Sequence, residues 1–208
     1  MMKKYIIALL VATAIGNTAK AQKQAYETTV DGVKVIVQPS GNDIVEVQTI
    51  IKGGVQNYPA TKAGIESLAM SALTECGTLK HDKNSFKDEL DKVSATVYGS
   101  SNKNYSVVRM NCIKGDFDIV WPLYVEAITQ PKFDEKEFAR IKQDAINNIK
   151  QEDSQPDNAI DKYADKVAFA GTNYAKDPSG TVAIVTALTP AETKAYYQSI
   201  LTKSRMVI

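Results

Sequence analysis

Lys62-Ala-Gly-Ile-Glu-Ser-Leu-Ala-Met-Ser-Ala-Leu-Thr-Glu-Cys-Gly-Thr78 is the stretch on which the fold turns. Ile65, Leu68, Ala69, Ala72, Leu73 and Cys76 recur at i, i+3, i+4, i+7, i+8 and i+11, which lays one apolar stripe along a helix, and Gly77 is a natural stop. Upstream the period is two. Residues 26–30 lead into Asp31-Gly32, a hairpin-type turn, and then into 33–38, rich in β-branched residues. After the punctuation of 39–43, Val45, Val47 and Thr49 alternate with more polar neighbours across 44–51. Three antiparallel strands in a meander, closed by Gly53-Gly54 and Pro59 and followed by a helix, are the simple reading.

Downstream of Gly77 the pattern predicts a short helix over 85–93, extended segments at 95–101 and 105–113 joined as a hairpin, and a helix over 116–130 that Pro122 can kink. A charged helix over 134–152 capped by Asp134 follows, then one from Pro156 towards Phe169. A loop spans 171–180, a short helix 181–188, and Thr189-Pro190 opens a capped helix to Leu201. Residues 205–208 start another strand, in whose middle the sequence stops. The fold class is α+β, a mostly antiparallel sheet with helices on one face.

Composition narrows the chemistry. The 208 residues carry 25 Lys+Arg against 24 Asp+Glu, a net charge of +1, which gives no clustered basic surplus for a nucleic acid. The one histidine, His81, makes a two-His metal site impossible and any Ser-His-Asp triad dependent on it. Lys3-Lys4, the apolar run of 5–15 and Ala19-Lys20-Ala21 make residues 1–21 a secretory signal peptide with cleavage before Gln22. That run is well short of the roughly 20 residues that span a bilayer, and nothing later is a candidate, so the mature chain is expected to be periplasmic or extracellular with no membrane span. Export permits a Cys76–Cys112 disulfide. Two small buried hydrophobes fit as well, and the spacing does not decide.

The helix of 62–78 after Gly-Gly, in an exported chain, resembles the insulinase-like (M16, pitrilysin) metallopeptidase family. Further matches are Pro131-Lys-Phe-Asp-Glu-Lys-Glu-Phe-Ala-Arg140, the 153–157 segment, Gly171-Thr-Asn-Tyr-Ala175 followed by Gly180-Thr181, and Leu188-Thr-Pro-Ala-Glu-Thr-Lys-Ala-Tyr-Tyr197 leading to Arg205-Met-Val-Ile208. Together they cover roughly 25–208. The resemblance implies an M16-like half cut short at its C-terminus: an N-terminal-like domain over 22–155 and the start of a following C-terminal-like domain over 156–208. It also implies a zinc peptidase whose helix carries His-x-x-Glu-His, with a distal Glu on a later helix as third ligand.

Laid on this sequence, the two His positions fall on Ser67 and Ser71, the general base on Met70 and the distal ligand on Asn148. Neutral hydroxyls bind zinc poorly and a thioether takes no proton at neutral pH, so no catalytic residue and no metal ligand is expected, and zinc belongs only to an active partner. In this family substrates add a strand to a sheet edge, which here corresponds to Val97, Tyr98, Gly99, Ser100 and Ser101. The expected function is that of a non-catalytic subunit that pairs with an active M16-like protein, in a homo- or heterodimer, and helps enclose peptides. The alternatives are a zinc peptidase whose active site lies elsewhere in a longer chain and a stand-alone peptide-binding module.

Other residues read more plainly. Glu66 and Glu75 are expected as solvated helix residues on nearly opposite sides, and His81 as a surface residue of a polar loop. Gly53-Gly54 lacks the Gly-Lys-Ser/Thr of a phosphate loop. Residues 147–153 read as a solvated helix end. Tyr98, Tyr105, Tyr196 and Tyr197 suit an interface or packing equally.

Overall fold

The computed structural model describes residues 24–208; the expected signal peptide lies outside them. Strand β1 (Tyr26–Val30) turns back into β2 (Val33–Val37) through Asp31 and Gly32, both at positive φ (49° and 83°), as a tight hairpin requires. Strand β3 (Ile44–Lys52) runs antiparallel to β5 (Tyr105–Ile113), which pairs in turn with β4 (Thr96–Ser101).

The three leading strands do not form the expected meander. Strand β6 (Met206–Val207) enters between β2, to which it is parallel, and β3, to which it is antiparallel, giving the order β1-β2-β6-β3-β5-β4. The open 39–43 connection lets β2 and β3 stand a strand's width apart.

Helix α1 (Ile65–Glu75) puts its stripe against the inner face of this sheet, where Ile51, Val97, Val108, Met110 and Cys112 are buried. Helix α2 (Lys83–Asp91) begins two residues earlier than the periodicity suggests, because the Asp82 side chain accepts a hydrogen bond from the Ser85 amide at its N-terminus. Helix α3 (Phe117–Thr129) continues through Pro122 and sends the Tyr124 hydroxyl to the sheet, within hydrogen-bonding distance of Thr49 Oγ1 (2.7 Å) and the Val108 carbonyl oxygen (3.0 Å).

Helix α4 (Glu135–Asp153), capped by Asp134, lies beside α1 and buries Phe138, Ile141, Ile146 and Ile149. Helices α5 (Pro156–Ala168), α6 (Val182–Ala187) and α7 (Pro190–Ile200) follow. Residues before and after 155 pack together. Helix α7 lies on α1, β6 lies inside the sheet, and Val185, Leu188, Tyr197 and Ile200 complete the same apolar core. Each large apolar side chain fully buried there contributes about 1.5–3 kcal/mol. Among the described residues no helix is long and apolar enough to cross a membrane.

Helix α1 crosses β4 so closely that a Cβ on Gly99 would strike the Met70 carbonyl oxygen. That obstacle is backbone and does not swing away. Gly99→Ala is expected to cost about 1–3 kcal/mol in urea denaturation, whereas Gly115→Ala, with nothing within 4 Å of its would-be Cβ, leaves the midpoint unchanged.

Candidate functional site

Because the stripe of α1 fixes its rotation, the residues off the stripe point elsewhere. Ser67, Ser71 and Glu75, at i, i+4 and i+8, face α4, whose Arg140, Asp144, Asn148 and Glu152 recur at the same spacing. Together with Ser179 they line an open polar cavity of about 420 Å³. Ser67, Ser71 and Asn148 thus share one cavity. Asn148 is exposed there, so its amide has water for a partner. Met70 is buried in the core and does not line the cavity.

One guanidinium organises the cavity wall. Arg140 Nη2 donates to Glu75 Oε2 on α1 (2.6 Å), Nε to Glu137 Oε2 (2.9 Å) and Nη1 to Asp144 Oδ2 (2.8 Å). Lys83 Nζ adds a contact with Glu137 Oε2 at 3.3 Å. The Arg140 hydrogen bond, aided by Lys83, holds the Glu137 carboxyl below its ordinary range.

These donors do not suit zinc. The cavity offers two hydroxyls, an amide, a guanidinium and carboxylates tied to it, but no imidazole, and among the described residues no group of three or more His, Cys, Asp or Glu side chains is placed to hold a metal. His81 sits elsewhere. Its Nδ1 lies 3.0 Å from Glu126 Oε1, on a carboxylate that also accepts from Thr78 Oγ1. Burial would raise the Glu126 carboxyl, but the hydrogen bonds from Thr78 and His81 prevail and lower it. His81 is therefore a half-buried tether for the 78–81 loop and not the free surface residue expected from its polar neighbours. Cys76 and Cys112 are both free and buried, and burial pushes the Cys76 thiol up to about 12.

Among the described residues β4 is the outermost strand, paired with β5 on one side only, so Val97–Ser101 lies on a sheet edge. Beside it, Phe86, Leu90, Ala95 and Val97 floor a groove of about 240 Å³ between α1, α2 and β4. Glu75 lines both groove and polar cavity, so the two adjoin.

The insulinase (peptidase family M16) model matches residues 34–182. The chain belongs to the M16 family. Among solved structures, a peptidase M16 inactive domain from Pseudomonas fluorescens superposes with a TM-score of 0.81 at 18% identity, over 88% of this chain and 45% of that one. A protease from Helicobacter pylori gives 0.78 at 15% identity, over 88% and 45%. The periplasmic protease PqqL from Escherichia coli gives 0.73 at 15%, over 89% and 21%. The M16 fold is therefore shared, and the chain spans less than half the length of these structures. No curated protein matches it significantly.

The M16 helix of this chain also carries a group that sequence reasoning misplaced. Glu66, expected in solvent, is 1% exposed. It accepts hydrogen bonds from Ser106 Oγ, the Tyr196 hydroxyl and, at 3.4 Å, Asn57 Nδ2. The signal was present in the spacing: Glu66 lies seven residues before Leu73 and shares its face. Burial raises its carboxyl above the usual 4.5 in spite of those donors and of Arg205 nearby.

A carboxyl raised in the folded state costs stability when ionised, and the cost disappears as pH falls through the folded pKa, fully so below the unfolded value of about 4.5. Thermal melts of the native protein and of Glu66→Gln, taken from neutral pH towards 4.5, should show the native Tm gaining on that of the variant with acidification. Parallel curves would mean that Glu66 is not raised.

Proposed function

We propose that this chain is a non-catalytic M16 unit, exported from the cytoplasm, that pairs with an active M16 zinc peptidase and helps enclose its peptide substrate. The observation that carries this reading is the content of the α1–α4 cavity. Where the family resemblance puts two imidazoles and a carboxylate, this chain presents Ser67, Ser71 and Asn148, with Met70 turned into the core. The cavity persists without donors that could hold or activate a zinc-bound water.

What survives such replacements is backbone. An unpaired strand edge offers N–H and C=O groups to an extended peptide whatever the side chains nearby, and β4 offers one beside an apolar groove that would take alternate peptide side chains. Export is supported by the signal-like residues 1–21, and one structural neighbour bears the name of a periplasmic protease.

Zinc content by elemental analysis, on protein purified without a His tag, tests the reading directly. Substoichiometric zinc in the chain alone, with zinc and peptide cleavage appearing on mixing with an M16 subunit that carries His-x-x-Glu-His, is the expected result. Stoichiometric zinc in the chain alone would sink it, and peptide binding without cleavage in either sample would favour a stand-alone binding module.

The same geometry predicts a gain of function. Ser67→His, Ser71→His and Asn148→Glu combined should take up one zinc per chain, because α1 and α4 already bring the three positions to one cavity; calorimetric titration with zinc would read it.

A further inference from the structure

Helix α5 holds to the body through charged side chains. None of its residues is buried, and the three that are half-buried, Asn158, Lys162 and Asp165, are polar and recur at i, i+4 and i+7. The apolar side points to solvent, with Ile160 64%, Tyr163 70% and Val167 58% exposed. The preceding helix, α4, does the opposite and buries Phe138, Ile141, Ile146 and Ile149.

The ion pairs converge on two lysines. Lys162 Nζ lies 3.0 Å from Glu152 Oε2, 3.0 Å from Asp153 Oδ1 and 3.4 Å from Asp177 Oδ2. Asp165 pairs with Lys103, on the turn between β4 and β5, whose Nζ also stands 5.5 Å from the centre of the Phe169 ring. The chain can turn at both ends of the helix. Ser154 and Gln155 separate α5 from α4, and Gly171 follows at a φ of 77°, with nothing within 4 Å of its would-be Cβ.

Lys162 also ties together two parts of the polar cavity's wall. Glu152, near the end of α4, lines the cavity, and so does Ser179, whose amide donates to Asp177 Oδ1. One ammonium thus joins α4, α5 and the 171–180 loop. We propose that α5 is an electrostatic strap: its ion pairs hold it closed beside the α1–α4 cavity, and screening of those pairs releases residues 156–168 as a unit while the rest of the chain stays folded. Salt shortens the reach of partly exposed charges from about 10 Å at 0.1 M to about 3 Å at 1 M, whereas apolar burial, which holds the other long helices, is not a charge interaction. Release has a consequence for the cavity. Closed, the Glu152 carboxylate is neutralised by Lys162; open, it is a free anion one turn from Asn148. The inference concerns the attachment of α5 and stands whatever the cavity binds, so zinc content does not test it.

Hydrogen exchange of the intact protein, read segment by segment by mass spectrometry, does. From about 0.1 to about 1 M sodium chloride, exchange within 156–168 should accelerate about tenfold, with 105–113 and 190–200 unchanged. Lys162→Met keeps the apolar stem and removes the charge, and should give fast exchange of α5 at both salt concentrations with an unchanged Tm. Equal protection of α5 at both salt concentrations overturns the proposal. So does a loss of protection that spreads to 105–113 and 190–200, since α5 would then unfold only with the whole, or an α5 as well protected in Lys162→Met as in the native protein.

Discussion

Helix α1 lies so close to β4 that the Met70 carbonyl oxygen takes up the space of a side chain at residue 99. Much else follows from that contact. With the helix held against the strand, its stripe of Ile65, Leu68, Ala69, Ala72 and Leu73 has one possible direction, into the core. Ser67 and Ser71, off the stripe, can then face only α4, and Glu66, on its flank, is carried inward despite its charge. The network around Glu66 joins α1 to β5 through Ser106 and to α7 through Tyr196. Tertiary packing thus fixes which chemistry each position of the helix can have.

The cavity between α1 and α4 is held open by apolar contacts beneath it more than by the ion pairs around it. Arg140 and its carboxylates are partly exposed, and pairs of that kind contribute about 0.2–1 kcal/mol each. Burial of Phe138, Ile141 and Ile149 against the α1 side of the core is worth several times more. The spacing of α1 and α4 therefore does not depend on the polar side chains that line the cavity. Ser67, Ser71 and Asn148 line the cavity without carrying its framework.

How far the sequence reveals this depends on whether the signal is local. The α1 stripe, the Asp31-Gly32 turn and the caps at Asp134 and Thr189 are written within a few residues, and the structure follows them. That Ser67, Ser71 and Asn148 line one cavity follows from the i, i+4 spacing on α1 and from the facing stretch of α4. The placing of β6 was not legible. Two residues at the far end of the chain pair with strands more than 150 positions away, and no periodicity records that. Nor does a polar loop around His81 reveal that Glu126, on another helix, waits beneath it.

Helix α5 makes the limit of periodicity plain. A strong apolar stripe says that one side of a helix avoids water; that this side faces the chain's own core is a separate assumption, usually true because the core is the nearest apolar surface. Here the body beneath α5 is polar, with Glu152, Asp153, Asp177 and Lys103 all turned to meet it, and four ion pairs hold the stripe outward. Such an arrangement is stable in a single chain only as long as those ion pairs outweigh the exposed Ile160, Tyr163 and Val167. Each pair is partly exposed and individually weak, whereas each apolar side chain would gain about 1.5–3 kcal/mol from full burial. The imbalance favours whatever covers the stripe without disturbing the polar underside.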